Sequence, residues 1–366
     1  MKEKAIQEKI EFLFRKQVQK DKKVKNAYLL VHSEKLKVDL NIAEGKTGDF
    51  KADINQPNHL ASVGKLFTAT ITGILYEKGL LDFNDNIGKY LDGDLMNRIH
   101  VFKGKDYSDQ IMVRHLLMQT SGLNDVFYHF WKIFINDPAF RTTPKEAIIW
   151  GKENLKPVAV PGKRHFYTDT NYYLLGLIIE KITGKAFHQA MHEFIFEPRG
   201  MSNAYMFGFS KPKTAAGYPA AQLYIEGNNL MSIEGIHQID YAGGSVVAPL
   251  ADYLAFMKGL VNREIIKKET LTRMIMDDIW MGFPTVGFRY GYSVWKPVTI
   301  PLILPSKYNC WGCVGVTGAF MFFHPLTESY VIGTFNDFSY RGKALEFMIK
   351  TVIKELVTFQ NTNSLQ

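Results

Sequence analysis

The segment NHLASVGKLFTATITGILYEKG, residues 58–79, decides the fold that this chain is expected to adopt. Its apolar residues predict a buried helix that runs to about Lys78 and ends at Gly79, a common C′ residue. Ser62 and Lys65 stand at the start of this helix, where residues three apart are neighbours. The lysine amine could then activate the serine hydroxyl, and the N–H groups of the first turn could face a developing oxyanion.

The same Ser-x-x-Lys spacing occurs twice more, at residues 210–213 and 293–296. A proline inside residues 210–213 prevents a helix from bringing the two ends together. Residues 293–296 follow a strand-like run, in which positions three apart face opposite sides. Ser62 and Lys65 are therefore the pair predicted to be in contact. The plainer alternative is a serine that satisfies the first helical turn beside a solvated lysine.

The composition is ordinary for a globular enzyme, since 46% of the 366 residues are apolar and 22% are charged. The net charge of +8 comes from scattered residues without a nucleic-acid-binding motif, so no nucleic-acid partner is expected. The N-terminus lacks the apolar core of a secretory signal, and no segment has the roughly 20 uninterrupted apolar residues of a membrane span. With only two cysteines, these features predict a cytoplasmic protein.

Strand patterns lie near both ends of the chain, and helical patterns fill the middle. The strand-like runs are residues 28–42, 287–292, 318–323 and 330–335. Amphipathic helices are predicted at Ile6–Val18 and Leu345–Leu356. The economical architecture is an α/β (α+β) fold, in which the terminal strands pair into one antiparallel sheet flanked by the N- and C-terminal helices.

This architecture divides the chain into two predicted domains. Residues 1–90 and 285–366 form a discontinuous sheet domain, and residues 91–284 form a mostly helical insertion. The helix that follows Ser62 lies at their interface.

Two further patterns could suggest a metal or redox site. His188 and His192 lie one helical turn apart, but a third ligand and the HExxH arrangement are missing. Cys310 and Cys313 have C-x-x-C spacing, but there is no second pair, so two small buried hydrophobic residues are the better interpretation. We predict no metal and no cofactor.

Four blocks in order carry a resemblance to a known family. They are SVGKLFTATITGILYEKGLLDFNDNIGKYL at 62–91, VRHLLMQTSGL at 113–123, PGKRHFYTDTNYYLLGLIIEKITG at 161–184 and AGGSVVAPLADYLAFM at 242–257. From about Tyr28 to Val357 the chain resembles the serine β-lactamase-like family, which includes class C β-lactamases, penicillin-binding proteins, D-amino-acid peptidases and related esterases. The resemblance implies the β-lactamase/DD-peptidase-like fold.

The resemblance also implies roles for particular residues. Ser62 looks like the acylated nucleophile and Lys65 like its activator, while Tyr167 matches the tyrosine of the family's Tyr-x-Asn motif. A nearby ammonium would favour the tyrosine phenolate, so Lys65 and Tyr167 are expected to act as one proton-transfer unit. Asp169 replaces the asparagine of this motif. A carboxylate only accepts hydrogen bonds, so Asp169 is expected to pair with Lys65 or with a substrate N–H.

The family's third motif, usually Lys-Thr-Gly or His-x-Gly, also differs here. Counting back from Gly318 places Cys313 at its basic position and Gly315 at its glycine. A competing register places Trp311 there, and neither register supplies a cation. The Val316 N–H would then join that of Ser62 as the oxyanion hole.

The expected function is serine hydrolysis through a Ser62 acyl-enzyme, with a small-molecule acyl compound as substrate. Because the third motif lacks a cation, small esters or amides are expected to be better substrates than β-lactams. One alternative is β-lactamase, D-Ala-D-Ala carboxypeptidase or penicillin-binding activity. An alternative of another class is a non-catalytic module that binds an acyl ligand or a peptidoglycan fragment.

Overall fold

The computed structural model describes residues 2–137, 139–283, 285–300 and 304–364. The helices, in chain order, are α1 Lys2–Gln19, α2 Gly64–Glu77, α3 Gly93–Met96, α4 Val113–Leu117, α5 Phe127–Asn136, α6 Pro144–Asn154, α7 Thr170–Thr183, α8 Phe187–Met191, α9 His237–Gly244, α10 Leu250–Val261, α11 Lys268–Met276, α12 Arg341–Phe347 and α13 Lys354–Ser364. The strands are β1 Asn26–Ser33, β2 Val38–Thr47, β3 Phe50–Lys51, β4 Asn58–His59, β5 Val101–Phe102, β6 Lys105–Asp106, β7 Tyr205–Met206, β8 Tyr224–Ile225, β9 Asn228–Asn229, β10 Val246–Ala248, β11 Ile279–Trp280, β12 Phe288–Tyr290, β13 Trp295–Pro297, β14 Trp311–Gly315, β15 Ala319–His324 and β16 Ser329–Thr334. A segment of π-helix, Met348–Ile353, joins α12 to α13.

Nine strands of the described ranges form one antiparallel sheet, in the order β11-β12-β13-β14-β15-β16-β1-β2-β3. Strands from the two ends of the chain meet where β1 pairs with β16, with Leu30 opposite Ile332. This pairing confirms the predicted fold class. The edge strand β11 belongs to this sheet although it lies before residue 285, where the second segment of the sheet domain was predicted to begin. The division into two domains stays a prediction.

The first and last helices cover the sheet, as their amphipathic patterns predicted. The buried residues of α1 are Ile6, Ile10, Phe14 and Val18. The Phe14 ring lies 5.8 Å from that of Phe335, at the end of β16, and 6.2 Å from that of Phe347 in α12. Burying one such phenylalanine contributes about 1.5–3 kcal/mol, so these rings help to fix both termini on the sheet.

The central helix α2 places the predicted nucleophile at the junction of the sheet and the helices. All of its residues from Gly64 to Gly73 are buried, which is typical of a helix surrounded by protein. At its first residue a Cβ would lie 2.5 Å from the carbonyl oxygen of Gly244, so only glycine allows this close approach to α9. Within the described ranges, neither α2 nor any other helix has the length and apolar character needed to cross a membrane.

Candidate active site

The nucleophile turn is a short 3-10 helix, Ala61–Val63, that leads directly into α2. Ser62 lies in this turn and Lys65 in the first turn of α2, and on such a continuous helical segment side chains three residues apart are neighbours. Lys65 Nζ donates a hydrogen bond of 3.0 Å to Ser62 Oγ.

The other two Ser-x-x-Lys sequences do not form this contact. Ser210 Oγ is bonded to His192 Nε2 at 2.9 Å. Ser293 Oγ is buried against the hydroxyl of Tyr172, and Lys296 pairs with Asp278. Among the described residues, Ser62 and Lys65 are the only serine and lysine of a Ser-x-x-Lys sequence that are joined by a hydrogen bond.

Lys65 is completely buried, and its three N–H bonds all have acceptors. Besides Ser62 Oγ these are Asp169 Oδ1 at 2.5 Å and the carbonyl oxygen of Gly243 at 2.8 Å. Burial opposes the charge, but the Asp169 carboxylate and Tyr167 outweigh it and raise the pKa of Lys65. The resting lysine is therefore an ammonium held in an ion pair.

The structure corrects the expectation that Lys65 makes Tyr167 a phenolate. Burial raises the pKa of Tyr167 well above its ordinary value; Lys65 lowers it in part, and Asp169 raises it again. Burial thus outweighs the lysine charge that was expected to stabilise the phenolate, and the carboxylate offsets part of that charge. Tyr167 remains a phenol whose ring centroid lies 5.1 Å from Lys65 Nζ.

Asp125 is a site residue that the sequence analysis missed, although it lies two positions after the block at 113–123. Its Oδ1 accepts hydrogen bonds from the backbone N–H of Asp169 at 3.0 Å and from Thr168 Oγ1 at 3.2 Å. These bonds fix the segment that carries Tyr167. Burial, with a further contribution from Asp169, raises the pKa of Asp125 to about 7.

Strand β14 brings the third-motif residues to the nucleophile turn. Cys313 is buried and its Sγ donates to the carbonyl oxygen of Ser62 at 3.4 Å. Burial raises the pKa of this thiol to about 12, so it stays neutral. A Cβ on Gly315 would lie 2.2 Å from the carbonyl oxygen of Leu60, so glycine is required for this approach. The Trp311 ring instead packs edge-on against Phe323, with ring centroids 6.0 Å apart, which favours the register with Cys313 at the basic position.

Ser62 opens into a cavity of about 380 Å³. Most of its walls are apolar, and the apolar lining residues are Phe127, Tyr128, Trp131, Phe207, Leu223, Ile225, Leu230, Met231, Ile236 and Phe338. The polar and ionisable lining residues are Ser62, Tyr167, Asp125, Asp169, His59, Asp240, Thr285, Thr317 and Arg341, and Val316 also contributes. Cys313 is not among the residues that line it; it lies beneath Ser62.

The sequence analysis also missed His59, Asp240 and Arg341. His59 stands in the opening segment, but its partner Asp240 is 181 positions away, so no local pattern indicates their contact of 2.6 Å. Arg341 begins α12, and its guanidinium lies 4.7 Å from the ring centroid of Phe338.

The two candidate metal or redox patterns have ordinary structural partners. His188 stacks on Phe209, and both cysteines are buried and free. In the described part of the chain, no group of three His, Cys, Asp or Glu side chains is arranged to hold a metal ion.

A central buried helix beside an antiparallel sheet, with Ser62, Lys65 and Tyr167 at their junction, defines a serine β-lactamase-like fold. Residues 14–349 match the family model described as Beta-lactamase, and the chain belongs to this family. Among curated proteins it is 28% identical over 249 residues to penicillin-binding protein 4* of Bacillus subtilis (strain 168), a match that covers 64% of this chain and 51% of that protein. The chain spans about half the length of the first curated relatives it matches.

Solved structures share the fold over nearly the whole chain. D-amino acid amidase from Ochrobactrum anthropi SV3, complexed with L-phenylalanine amide, gives a TM-score of 0.76 at 20% identity and covers 99% of this chain and 100% of its own. EstCE1, described as a hydrolase with promiscuous acyltransferase activity, gives 0.78 at 15% identity, with 97% and 99% covered. The predicted family resemblance is confirmed.

Proposed function

We propose that this protein is a serine hydrolase that works through an acyl-enzyme on Ser62. The observation that carries the proposal is the hydrogen bond of 3.0 Å from the buried Lys65 ammonium to Ser62 Oγ at the start of α2. A buried lysine is rare and is retained only with partners, and here one partner is a nucleophile.

The ion pair supplies the route for the proton. Burial raises the pKa of Asp169, so passing a proton from Lys65 to Asp169 removes two buried charges together. The neutral amine then accepts the Ser62 hydroxyl proton while Oγ forms a bond to the substrate carbonyl carbon. When the bond to the leaving group breaks, the Tyr167 phenol donates its proton to that group.

The tyrosine proton is replaced from Lys65. Water then attacks the acyl-enzyme by the reverse route and releases the acid. The N–H groups of Ser62 and Val316 stabilise the oxyanion in both steps.

The cavity favours small neutral esters or amides with an apolar acyl or leaving group. Its walls are mainly aromatic and aliphatic, and three carboxylates, Asp125, Asp169 and Asp240, line it. Asp169 is paired with the Lys65 ammonium and the pKa of Asp125 is raised to about 7, so Asp240 is the main negative charge among the three. It disfavours an anionic substrate, and the neutral Cys313 offers such a substrate no charge-assisted hydrogen bond. The similar D-amino acid amidase was solved with L-phenylalanine amide, a small amide with an aromatic side chain, which supports an amide substrate with an apolar group.

A second candidate is a substrate with a free carboxylate, such as a β-lactam or a peptide ending in D-alanine, and Arg341 favours it. Its side chain lines the cavity, and no carboxylate of the described residues forms an ion pair with it. The similarity to penicillin-binding proteins points the same way. A charge-assisted hydrogen bond from Arg341 to the substrate would contribute about 1.5–3 kcal/mol, or roughly ten- to a hundred-fold in binding.

The deciding experiment compares kcat/KM for a p-nitrophenyl acyl ester with that for a chromogenic cephalosporin. We expect the ester to be turned over faster than the cephalosporin. Arg341→Ala should leave kcat/KM for the ester unchanged. Faster turnover of the cephalosporin, reduced by Arg341→Ala but not by the control Arg289→Ala on the sheet edge, would establish the second candidate instead. If neither substrate is turned over and Ser62 is not covalently labelled, the result would favour the alternative of a non-catalytic binding module.

A further inference from the structure

The residue before the nucleophile has an unfavourable backbone conformation. Ala61 has φ +48°, in the left-handed region that alanine rarely adopts. Such a conformation persists only where surrounding contacts hold it. Because Ser62 follows directly, this conformation decides where its Oγ and N–H point.

His59 supplies the contact that holds Ala61. The Ala61 N–H donates a hydrogen bond of 3.0 Å to His59 Nδ1. Nδ1 must therefore present a lone pair, so the proton of the neutral ring is on Nε2. Nε2–H donates to Asp240 Oδ2 at 2.6 Å. Both ring nitrogens are thus engaged within the protein, which leaves neither free to exchange a proton with substrate.

The pair is held firmly from three sides. His59 is 6% exposed, and its backbone pairs with Val247 of β10. The Phe207 ring stands edge-on to the imidazole at 5.9 Å. Asp240 lies in α9, where a Cβ on Gly244 would come within 2.1 Å of its Oδ1. Glycine at that position leaves room for the carboxylate.

We propose that His59 and Asp240 are positioning residues that hold Ala61 in its left-handed conformation and thereby aim Ser62 at the substrate carbonyl. The inference rests on the proposed function, because it assigns a purpose to the orientation of Ser62. In the nucleophile turn His59 bonds only to the backbone, and Asp240 acts on this turn through His59. Through the turn the pair affects the rate of acylation. Because both side chains also line the cavity, rescue by Ala61→Gly separates this effect from a change in substrate binding.

The experiment measures the rate at which a fluorophosphonate labels Ser62, together with kcat and KM on the p-nitrophenyl ester. Asp240→Leu removes the acceptor for Nε2–H, and we expect labelling and kcat to fall roughly five- to thirty-fold with little change in KM, which corresponds to the cost of about 1–2 kcal/mol for a left-handed alanine. Asp240→Asn keeps an acceptor oxygen and should retain most of the rate.

Ala61→Gly provides a specific rescue, since glycine adopts positive φ without a steric cost. In the Ala61→Gly background, adding Asp240→Leu should slow labelling by about two-fold or less. Thr327→Val, which removes a 2.7 Å hydrogen bond with the buried His324 at the C-terminal end of β15, is the matched control and should leave labelling unchanged.

If Asp240→Leu does not fold, His59→Phe keeps the ring volume and removes the Nδ1 acceptor, and the same rescue by Ala61→Gly is expected. Equal labelling of Asp240→Leu and the wild type would overturn the proposal. So would an Asp240→Asn variant as slow as Asp240→Leu, because the charge and not the hydrogen bond would then matter. A wild-type protein that is not labelled at all would instead refute the proposed function.

Discussion

Replacing Asp169 by asparagine tests the ion pair beneath the nucleophile. Two unit charges 2.5 Å apart attract by about 7 kcal/mol at an effective dielectric constant of 20. The amide oxygen of asparagine still accepts a hydrogen bond, so the net effect on Lys65 is the usual one of an adjacent charge, about 1–3 pKa units or roughly 1.4–4 kcal/mol. The pKa of Lys65 is raised by Asp169 in the wild type and should fall by that amount in the variant.

The assay is kcat/KM for the p-nitrophenyl ester as a function of pH. In the proposed route Asp169 takes the Lys65 proton, and Asp169→Asn removes that acceptor. The variant should therefore show a lower kcat/KM that rises with pH, because solvent must now take the proton from a Lys65 whose pKa is lower by about 1–3 units. Asp278→Asn is the matched control, because Asp278 is also mostly buried and pairs with a lysine, Lys296, outside the cavity. A rate and pH profile of Asp169→Asn equal to those of the wild type would refute the view that this carboxylate accepts the Lys65 proton.

Three further outcomes follow from the same geometry. Lys65→Ala and Tyr167→Phe should be non-additive, so that the double variant is little slower than the slower single one, whereas losses that multiply would exclude a shared proton path. Gly243→Ala should slow labelling of Ser62, because its Cβ would lie 2.6 Å from Asp169 Oδ1 and displace the partner of Lys65, and unchanged labelling would show that the pair can shift. Burial lowers the pKa of both His115 and His165 to about 4, so the unfolded chain takes up these protons first. Their stabilising effect is complete above about pH 6.5 and is lost as the pH falls toward 4. Buried carboxyls with a raised pKa, such as Asp125, act in the opposite direction, so the test is a comparison: between pH 6.5 and 4 the wild-type Tm should change less favourably than that of a His115→Gln/His165→Gln variant, and equal changes would contradict it.

The features that depend on neighbours in sequence could be predicted. The contact of Ser62 with Lys65 follows from a spacing of three residues on a helical turn, and the strands on both sides of the chain follow from alternating patterns. The end of the helix at Gly79 could also be predicted from the local sequence. This residue has φ +68°, a conformation that glycine adopts readily.

The features that depend on distant neighbours could not be predicted. The pKa of Tyr167 follows from burial and from the position of Asp169 relative to Lys65, and the charge of a nearby lysine alone gave the wrong direction. Cys313 could be placed near the nucleophile by counting along the strand, but its direction beneath Ser62 follows from the packing of β14. The contact between His59 and Asp240 has no sequence signal at all.

The central claim is that Ser62 is the residue that becomes acylated. The most direct measurement is intact mass after treatment with a fluorophosphonate, followed by peptide mapping, on the wild type and on Ser62→Ala and Ser293→Ala. A single adduct on Ser62 is expected in the wild type and in Ser293→Ala, with none in Ser62→Ala. Labelling that persists in Ser62→Ala, or ester turnover by that variant near the wild-type rate, would contradict the account.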